Sequence, residues 1–248
     1  MSNSPQRESW RRQIAHAYQP VVDTKSESVL FYEALLRSPQ GDSPGDVLKQ
    51  IPYENLNSFE TLNRQIAIES ALALGINTPL SLNFSLSCLL YRKGDELCEL
   101  IDYSNDKGLP ADQLIIEVSE SDSFHDTKSL LHSLDKARAK GALIAVDDFG
   151  AGYAGLNTLI DINPDLVKLD MYLINKIHSC GARKSAARAM VSMCRDMGID
   201  LVAEGIEELK EYQTLCDLGI HLQQGYLFAR PGLETLPKAS YPNQKILA

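Results

Sequence analysis

Short apolar segments alternate with longer amphipathic ones along most of the chain. Eight segments read as strands: 18–23, 29–37, 80–85, 114–119, 143–149, 166–170, 201–206 and 222–228. Each is rich in β-branched or apolar residues, and several are near-continuous apolar runs, as in strands buried on both faces. Helical periodicity separates most of them. Over 59–74, Leu62, Ile66, Ile68, Ala71 and Leu72 form a stripe, with Gly75 as a stop. Similar stripes run over 126–140, over 171–197 with an interruption near Gly181, and over 206–218. Alternating strands and helices imply a parallel sheet, and eight strands in a chain of 248 residues suit a closed barrel. One junction departs from this rule. Only residues 24–28 join the first two strands, and a parallel crossover needs roughly a dozen or more. The expected fold is therefore α/β, a modified (β/α)8 TIM-like barrel with one antiparallel strand near the N-terminus. The expected organisation is a polar N-terminal extension over 1–14, a barrel domain over 15–235 and a C-terminal tail over 236–248.

Several strands carry charges that an apolar core would not tolerate without partners. Glu33 lies in the second, Asn83 near the end of the third and Glu117 in the fourth. Asp147 and Asp148 close the fifth, Lys168 and Asp170 lie on the sixth, Glu204 ends the seventh and Gln224 lies on the eighth. Strand ends are where barrel active sites form. Two like charges 4 Å apart repel by about 4 kcal/mol at an effective dielectric of 20, and a divalent cation removes that cost. The donors are all carboxylate or amide oxygens, which favours Mg²⁺, Mn²⁺ or Ca²⁺ over Zn²⁺. Five of these carboxylates balance two divalent cations plus Lys168. This pattern points to metal-assisted hydrolysis of a phosphoester, with two cations clamping the attacking and leaving oxygens.

Composition narrows the partners. A net charge of −9 argues against a nucleic-acid duplex binder and disfavours anionic membrane surfaces. No apolar run is long enough to span a bilayer, and residues 1–12 lack the apolar stretch of a secretory signal. The five cysteines have no paired short spacing; with no export signal they read as reduced thiols in a cytoplasmic protein. The five histidines read as surface or packing residues rather than ligands.

The motifs resemble, in order, those of the EAL-domain family of cyclic di-GMP phosphodiesterases. They include Tyr18-Gln19-Pro20-Val21-Val22, Glu33-Ala34-Leu35-Leu36-Arg37, Asn83-Phe84-Ser85 and Glu117-Val118-Ser119-Glu120. They continue with Asp147-Asp148-Phe149-Gly150-Ala151-Gly152-Tyr153, Lys168-Leu169-Asp170, Ala203-Glu204-Gly205-Ile206-Glu207 and Gln224-Gly225-Tyr226-Leu227-Phe228. The resemblance implies hydrolysis of cyclic di-GMP to linear pGpG by a metal-activated water, using Mg²⁺ or Mn²⁺ and ending a bacterial second-messenger signal. It implies that Glu33, Asn83, Glu117 and Asp147 hold one ion, and that Asp147, Asp148 and Glu204 hold a second. By the same resemblance Lys168 orients the attacking water or steadies charge on the phosphoryl group. Gln224 supports the site by a hydrogen bond, and Glu120 holds the 148–153 loop. Gln19, Leu35, Arg37, Ser85, Asp170 and Glu207 correspond to substrate contacts. The chain departs from the family pattern at Ala151, at Ala154-Gly155 and after Asn83, without losing a metal ligand. The expectation is a stand-alone EAL protein, with a homodimer and a regulatory protein partner left open. A non-catalytic cyclic di-GMP receptor or interaction module on the same barrel, and a different metal-using barrel enzyme, remain alternatives at this point.

Overall fold

The computed structural model describes residues 5–85, 95–119, 127–151 and 155–242. Among these, nine strands run β1 (Ala15–Asp23), β2 (Ser28–Arg37), β3 (Leu80–Phe84), β4 (Leu114–Ser119), β5 (Leu143–Phe149), β6 (Leu166–Leu169), β7 (Asp200–Ala203), β8 (Leu222–Gln223) and β9 (Gly232–Leu233). The helices are α1 (Pro5–Arg11), α2 (Pro44–Leu48), α3 (Leu56–Ala73), α4 (Asp95–Lys107), α5 (Thr127–Ala139), α6 (Gly155–Ile162), α7 (Met171–Ile174), α8 (Gly181–Met197) and α9 (Leu209–Leu218).

Strands β2 to β8 lie side by side, and β1 closes the ring between β8 and β2. Every pairing from β2 through β8 is parallel. β1 is antiparallel to β2 and β8, as the short first connection requires. β9 adds a two-residue pairing on β1. The TIM-like barrel with one inverted strand is therefore present.

The inside of the ring is filled by Val21, Phe31, Ile115, Ala145, Leu166 and Val202, all buried. This apolar layer is the floor of the site. Side chains two residues apart on a strand share a face. Moving two residues toward the strand end from each floor residue gives Gln19 on the inverted β1, Glu33, Glu117, Asp147, Lys168 and Glu204. Period-two alternation thus stacks a polar layer directly on the apolar one. A second, larger apolar layer lies between the strands and the helices outside, including Leu80, Leu82, Leu114, Ile116, Ile144 and Leu169. Before residue 15, Trp10 of α1 meets Phe59 of α3 edge-on, ring centroids 5.9 Å apart.

Some expected boundaries shift. The segment 222–228 is strand only over Leu222–Gln223. Its later apolar residues are there for packing: Phe228 is buried against Tyr212, centroids 6.0 Å apart. The long stripe over 171–197 is broken by Lys176, which takes φ 55°, and by a 3-10 turn at Ile177–Ser179. The stripe read over 206–218 becomes helical only at Leu209, where a capping box between Glu208 and Glu211 starts α9.

Candidate active site

Lys168 is the hub. It is fully buried, and its ammonium lies 3.2 Å from Glu33 Oε2, 3.1 Å from Glu117 Oε1, 3.1 Å from Asp147 Oδ1 and 2.7 Å from Glu204 Oε1. β2, β4, β5 and the residue after β7 supply these carboxylates. Asn83 Nδ2 donates to Glu33 Oε1 at 3.0 Å, and Gln224 Nε2 donates to Glu33 Oε2 at 2.8 Å. Both oxygens of Glu33 are therefore oriented before any ligand arrives. Gln224 also reaches Gln19 Oε1 at 3.4 Å, and Gln19 donates to the Ala229 carbonyl at 3.1 Å.

Asp147 and Asp148 could not both face the site in a regular strand, because adjacent side chains point to opposite faces. The β5–β6 register slips between Val146 and Phe149, and Asp148 takes φ 56°. A bulge re-aims side chains in this way, and aspartate tolerates the left-handed region better than most residues. Both carboxylates then line one cavity of about 320 Å³ with Glu33, Glu204, Glu207, Asp170, Gln19 and Gln224. Ser119 Oγ donates to Asp148 Oδ2 at 3.3 Å. The next turn needs Gly150, at φ 97°; a Cβ there would lie 2.4 Å from Leu173 Cδ1.

The electrostatics are unbalanced. Burial pushes Glu33 up, but the Lys168 charge and the Gln224 and Asn83 hydrogen bonds outweigh it and leave its carboxyl below the ordinary range. Burial, joined by the Glu33 and Asp147 charges against the opposing Lys168, pushes Glu117 up to about 8. Burial likewise raises Glu204 well above its usual value, and raises Asp148 with help from Asp147 and Asp170. Lys168 loses from burial but gains more from its four carboxylates, so it stays protonated well above the ordinary lysine range.

The residues suit metal on three counts. One oxygen each from Glu33, Glu117 and Asp147 lies within 4.8 Å of the others, and so does one each from Asp147, Asp148 and Glu204. Asp147 belongs to both groups. Glu117 Oε2 is buried without a hydrogen-bond partner. Five carboxylates facing one ammonium, with an orphaned oxygen among them, fit hard divalent cations. With Glu117 raised to about 8, an incoming cation competes with a proton at this carboxylate near pH 7. Affinity for Mn²⁺ should therefore rise as pH approaches about 8, by about tenfold per unit for each proton displaced. Calorimetry in two buffers of different ionisation heat should show proton release at pH 7 that fades above pH 8. Constant affinity from pH 6.5 to 8.5 would contradict this charge assignment.

The other expected site residues lie around the rim. Asp170 caps α7, accepting from the Tyr172 N–H at 2.7 Å. Arg37, at the end of β2, donates to the Leu36 carbonyl at 2.7 Å, and Leu35 beside it is half-buried. Ser85 donates to Glu60 Oε2 at 3.0 Å. Arg37, Leu35 and Ser85 stand beyond the described lining of the cavity. Glu120 and Tyr153 lie outside the described residues. Sequence reading missed Met171 and Tyr226, which line the cavity, and the Glu60–Arg64 pair of α3, 3.0 Å apart. Arg64 Nε donates to the Asn83 carbonyl at 3.0 Å and so props the end of β3. The available signal was an oppositely charged i,i+4 pair inside an apolar helical stripe.

The EAL domain profile matches residues 3–231. The chain belongs to the EAL domain family. The blue light- and temperature-regulated antirepressor BluF of Escherichia coli K12 is 28% identical over 231 residues, covering 92% of this chain and 57% of BluF. The probable cyclic di-GMP phosphodiesterase PdeG of the same organism is 28% identical over 231 residues, 88% of this chain and 45% of PdeG. These relatives are longer proteins: the chain spans 26–57% of the first four. Among solved structures, a manganese/cy-diGMP complex of Klebsiella pneumoniae BlrP1 superposes with TM-score 0.88 at 35% identity, over 92% of this chain and 58% of that one. A c-di-GMP-bound standalone EAL protein from Vibrio cholerae O395 gives 0.85 at 31%, over 92% of this chain and 95% of that one. Among the described residues of this EAL chain, no helix is long and apolar enough to cross a membrane.

Proposed function

We propose that this EAL domain hydrolyses cyclic di-GMP to linear pGpG with two divalent cations, Mg²⁺ or Mn²⁺, in the cytoplasm. The supporting observation is the pair of carboxylate groups sharing Asp147 at the mouth of the barrel. Glu33, Asn83, Glu117 and Asp147 would hold one cation, and Asp147, Asp148 and Glu204 the other. Bound there, the cations would supply Lewis acidity to the phosphoryl oxygens and acidify water.

The chain's own residues do the rest. Lys168 keeps a fixed positive charge beneath the site, orients water through its N–H donors and offsets charge that develops on the phosphoryl oxygens. Gln224 and Asn83 lock Glu33 so that its remaining lone pairs face the cavity. Asp170 and Glu207 at the rim offer carboxylate acceptors for the N–H groups of guanine, which no apolar wall could satisfy. Arg37 supplies a guanidinium fork for a phosphate. Glu120 is assigned to holding the 148–153 loop. Water adds to one phosphorus, one P–O3′ bond breaks, and the freed 3′-oxygen takes up a proton. The product is an open dinucleotide with a 5′-phosphate.

Incubating the protein with cyclic di-GMP and either Mg²⁺ or Mn²⁺ should yield pGpG on chromatography, and EDTA should stop it. Folded protein that gives no product with either metal would refute the catalytic reading. The likeness to BluF supports a second reading, a regulatory receptor acting through another protein. The complete set of carboxylate donors favours the enzyme over it, since a receptor has no need of a charge-strained site. Leu156 and Ile160, 52% and 58% exposed on α6, support a homodimer through that helix. A monomer in sedimentation equilibrium at micromolar concentration would rule that assembly out.

A further inference from the structure

Glu211 is buried at 2% exposure, and the catalytic reading gives it no task. Its two oxygens accept three main-chain N–H groups. Glu207 and Glu208 donate to Oε2 at 3.2 and 3.1 Å, and Lys176 donates to Oε1 at 2.7 Å. The first two lie at the start of its own helix, where a capping box explains the one from Glu208. The third does not. It comes from 35 residues away, beyond α7, at a residue held at φ 55°. Glu211 is therefore a cross-brace between the segment after β6 and the loop after β7.

These two segments form one wall of the cavity. Asp170 and Met171 stand on the first; Glu204, Gly205 and Glu207 stand on the second. They also meet at the rim: a Cβ on Gly205, at φ 69°, would lie 2.4 Å from the Met171 Cβ. The metal end of the β7 loop is pinned independently. Glu204 N donates to the Leu169 carbonyl at 3.1 Å, and Ile206 N donates to the Gln224 carbonyl at 3.1 Å. At the Glu207 end, the N–H groups of Glu207 and Glu208 go to the Glu211 carboxylate, while the Glu208 carbonyl accepts from Glu211 N and Tyr212 N at 3.0 and 3.2 Å.

We infer that Glu211 is a positioning residue for substrate recognition: it holds the Glu207 carboxylate at a fixed span from Asp170, so that the wall fits a purine base, while leaving the metal centre unaffected. A carboxylate suits the task because both of its oxygens accept, which matches three convergent main-chain donors. An amide would turn an NH₂ group toward at least one of those donors.

This inference rests on the cyclic di-GMP reading. The test compares wild type, Glu211→Gln and Glu211→Ala on two phosphodiesters with Mn²⁺. Cyclic di-GMP needs the wall; bis(p-nitrophenyl) phosphate needs only the metal centre. Both variants should raise KM for cyclic di-GMP at least tenfold, with kcat and the rate on the small ester within about threefold of wild type. Mn²⁺ affinity should be unchanged. Parallel loss on both esters would show a purely structural role and overturn the inference, as would an unchanged KM. Wild type that cleaves the small ester but neither cleaves nor binds cyclic di-GMP would overturn the substrate reading itself, and the inference with it.

Discussion

Asp147→Asn should lower turnover of cyclic di-GMP by about a thousandfold or more while making the metal-free protein no less stable. Asp147 is the only carboxylate shared by both candidate metal groups among the described residues, so its loss weakens both together. Removing metal-derived charge stabilisation of several kcal/mol corresponds to a rate loss of that size, since about 1.4 kcal/mol is tenfold. The amide is nearly isosteric, so no core volume disappears. One negative charge leaves a cluster in which Glu117 and Glu204 are already driven toward the protonated form by burial and neighbouring charge. Lys168 keeps three other carboxylates. Melting without metal should therefore stay level or rise, and the rise in melting temperature on adding Mn²⁺ should shrink. Activity within tenfold of wild type would show that Asp147 is not a bridging ligand.

Lys168→Met should have the opposite effect on stability. Without metal, Lys168 is the one cation within 4 Å of Glu33, Glu117, Asp147 and Glu204 among the described residues. Breaking a buried charge pair from one side costs about 3–5 kcal/mol, because the other charge stays behind. At roughly 2–4 °C per kcal/mol for a chain of this size, the metal-free melting temperature should fall by about 6–20 °C. The loss should grow with pH. Glu117 and Glu204 have folded values above their unfolded ones, so the stability they contribute is fully present below about pH 4.5 and is lost as pH rises, for Glu117 through about 8. Taking away the lysine raises those values further and widens the window. Saturating Mn²⁺ should recover more stability in the variant than in wild type, since the cations replace the missing charge. Turnover should still fall, because the fixed ammonium proposed to offset charge on the phosphoryl group is gone. Equal metal-free melting of variant and wild type at pH 8 would mean that the carboxylates do not depend on Lys168.

The two variants separate stability from function at one site. Under the metal assignment, five acids gathered near one base favour cation binding at the expense of metal-free stability, a trade expected where sites concentrate like charge. Nothing in the apolar layers asks for this arrangement. The floor of Val21, Phe31, Ile115, Ala145, Leu166 and Val202 is wholly apolar.

Much of this architecture is legible in the residues alone. Strand positions follow from short apolar runs, and the first antiparallel pair from a connection too short for a crossover. Departures cluster where burial mimics a strand. The stretch after Gln223 is apolar because Phe228 packs on Tyr212, and no ladder forms there. Glu33, Glu117, Lys168 and Glu204 stand out because charges are rare in apolar strands. Glu211 does not stand out, since an acid in the first turn of a helix is ordinary.

Residue order alone settles the architecture, the inverted first strand and the kind of donor at the barrel mouth. All three are written locally, in residue chemistry, in two-residue and helical periodicities, and in loop length. Which donors meet is fixed by long-range folding. Ring closure brings Lys168 to Glu33, 135 residues away, and Gln224 to the same carboxylate from 191. The slip between Val146 and Phe149 turns two adjacent aspartates toward one cavity, which regular alternation forbids. Glu211 joins two loops that no local pattern relates. Such contacts depend on register and closure, which the chain sets only once all its strands have paired.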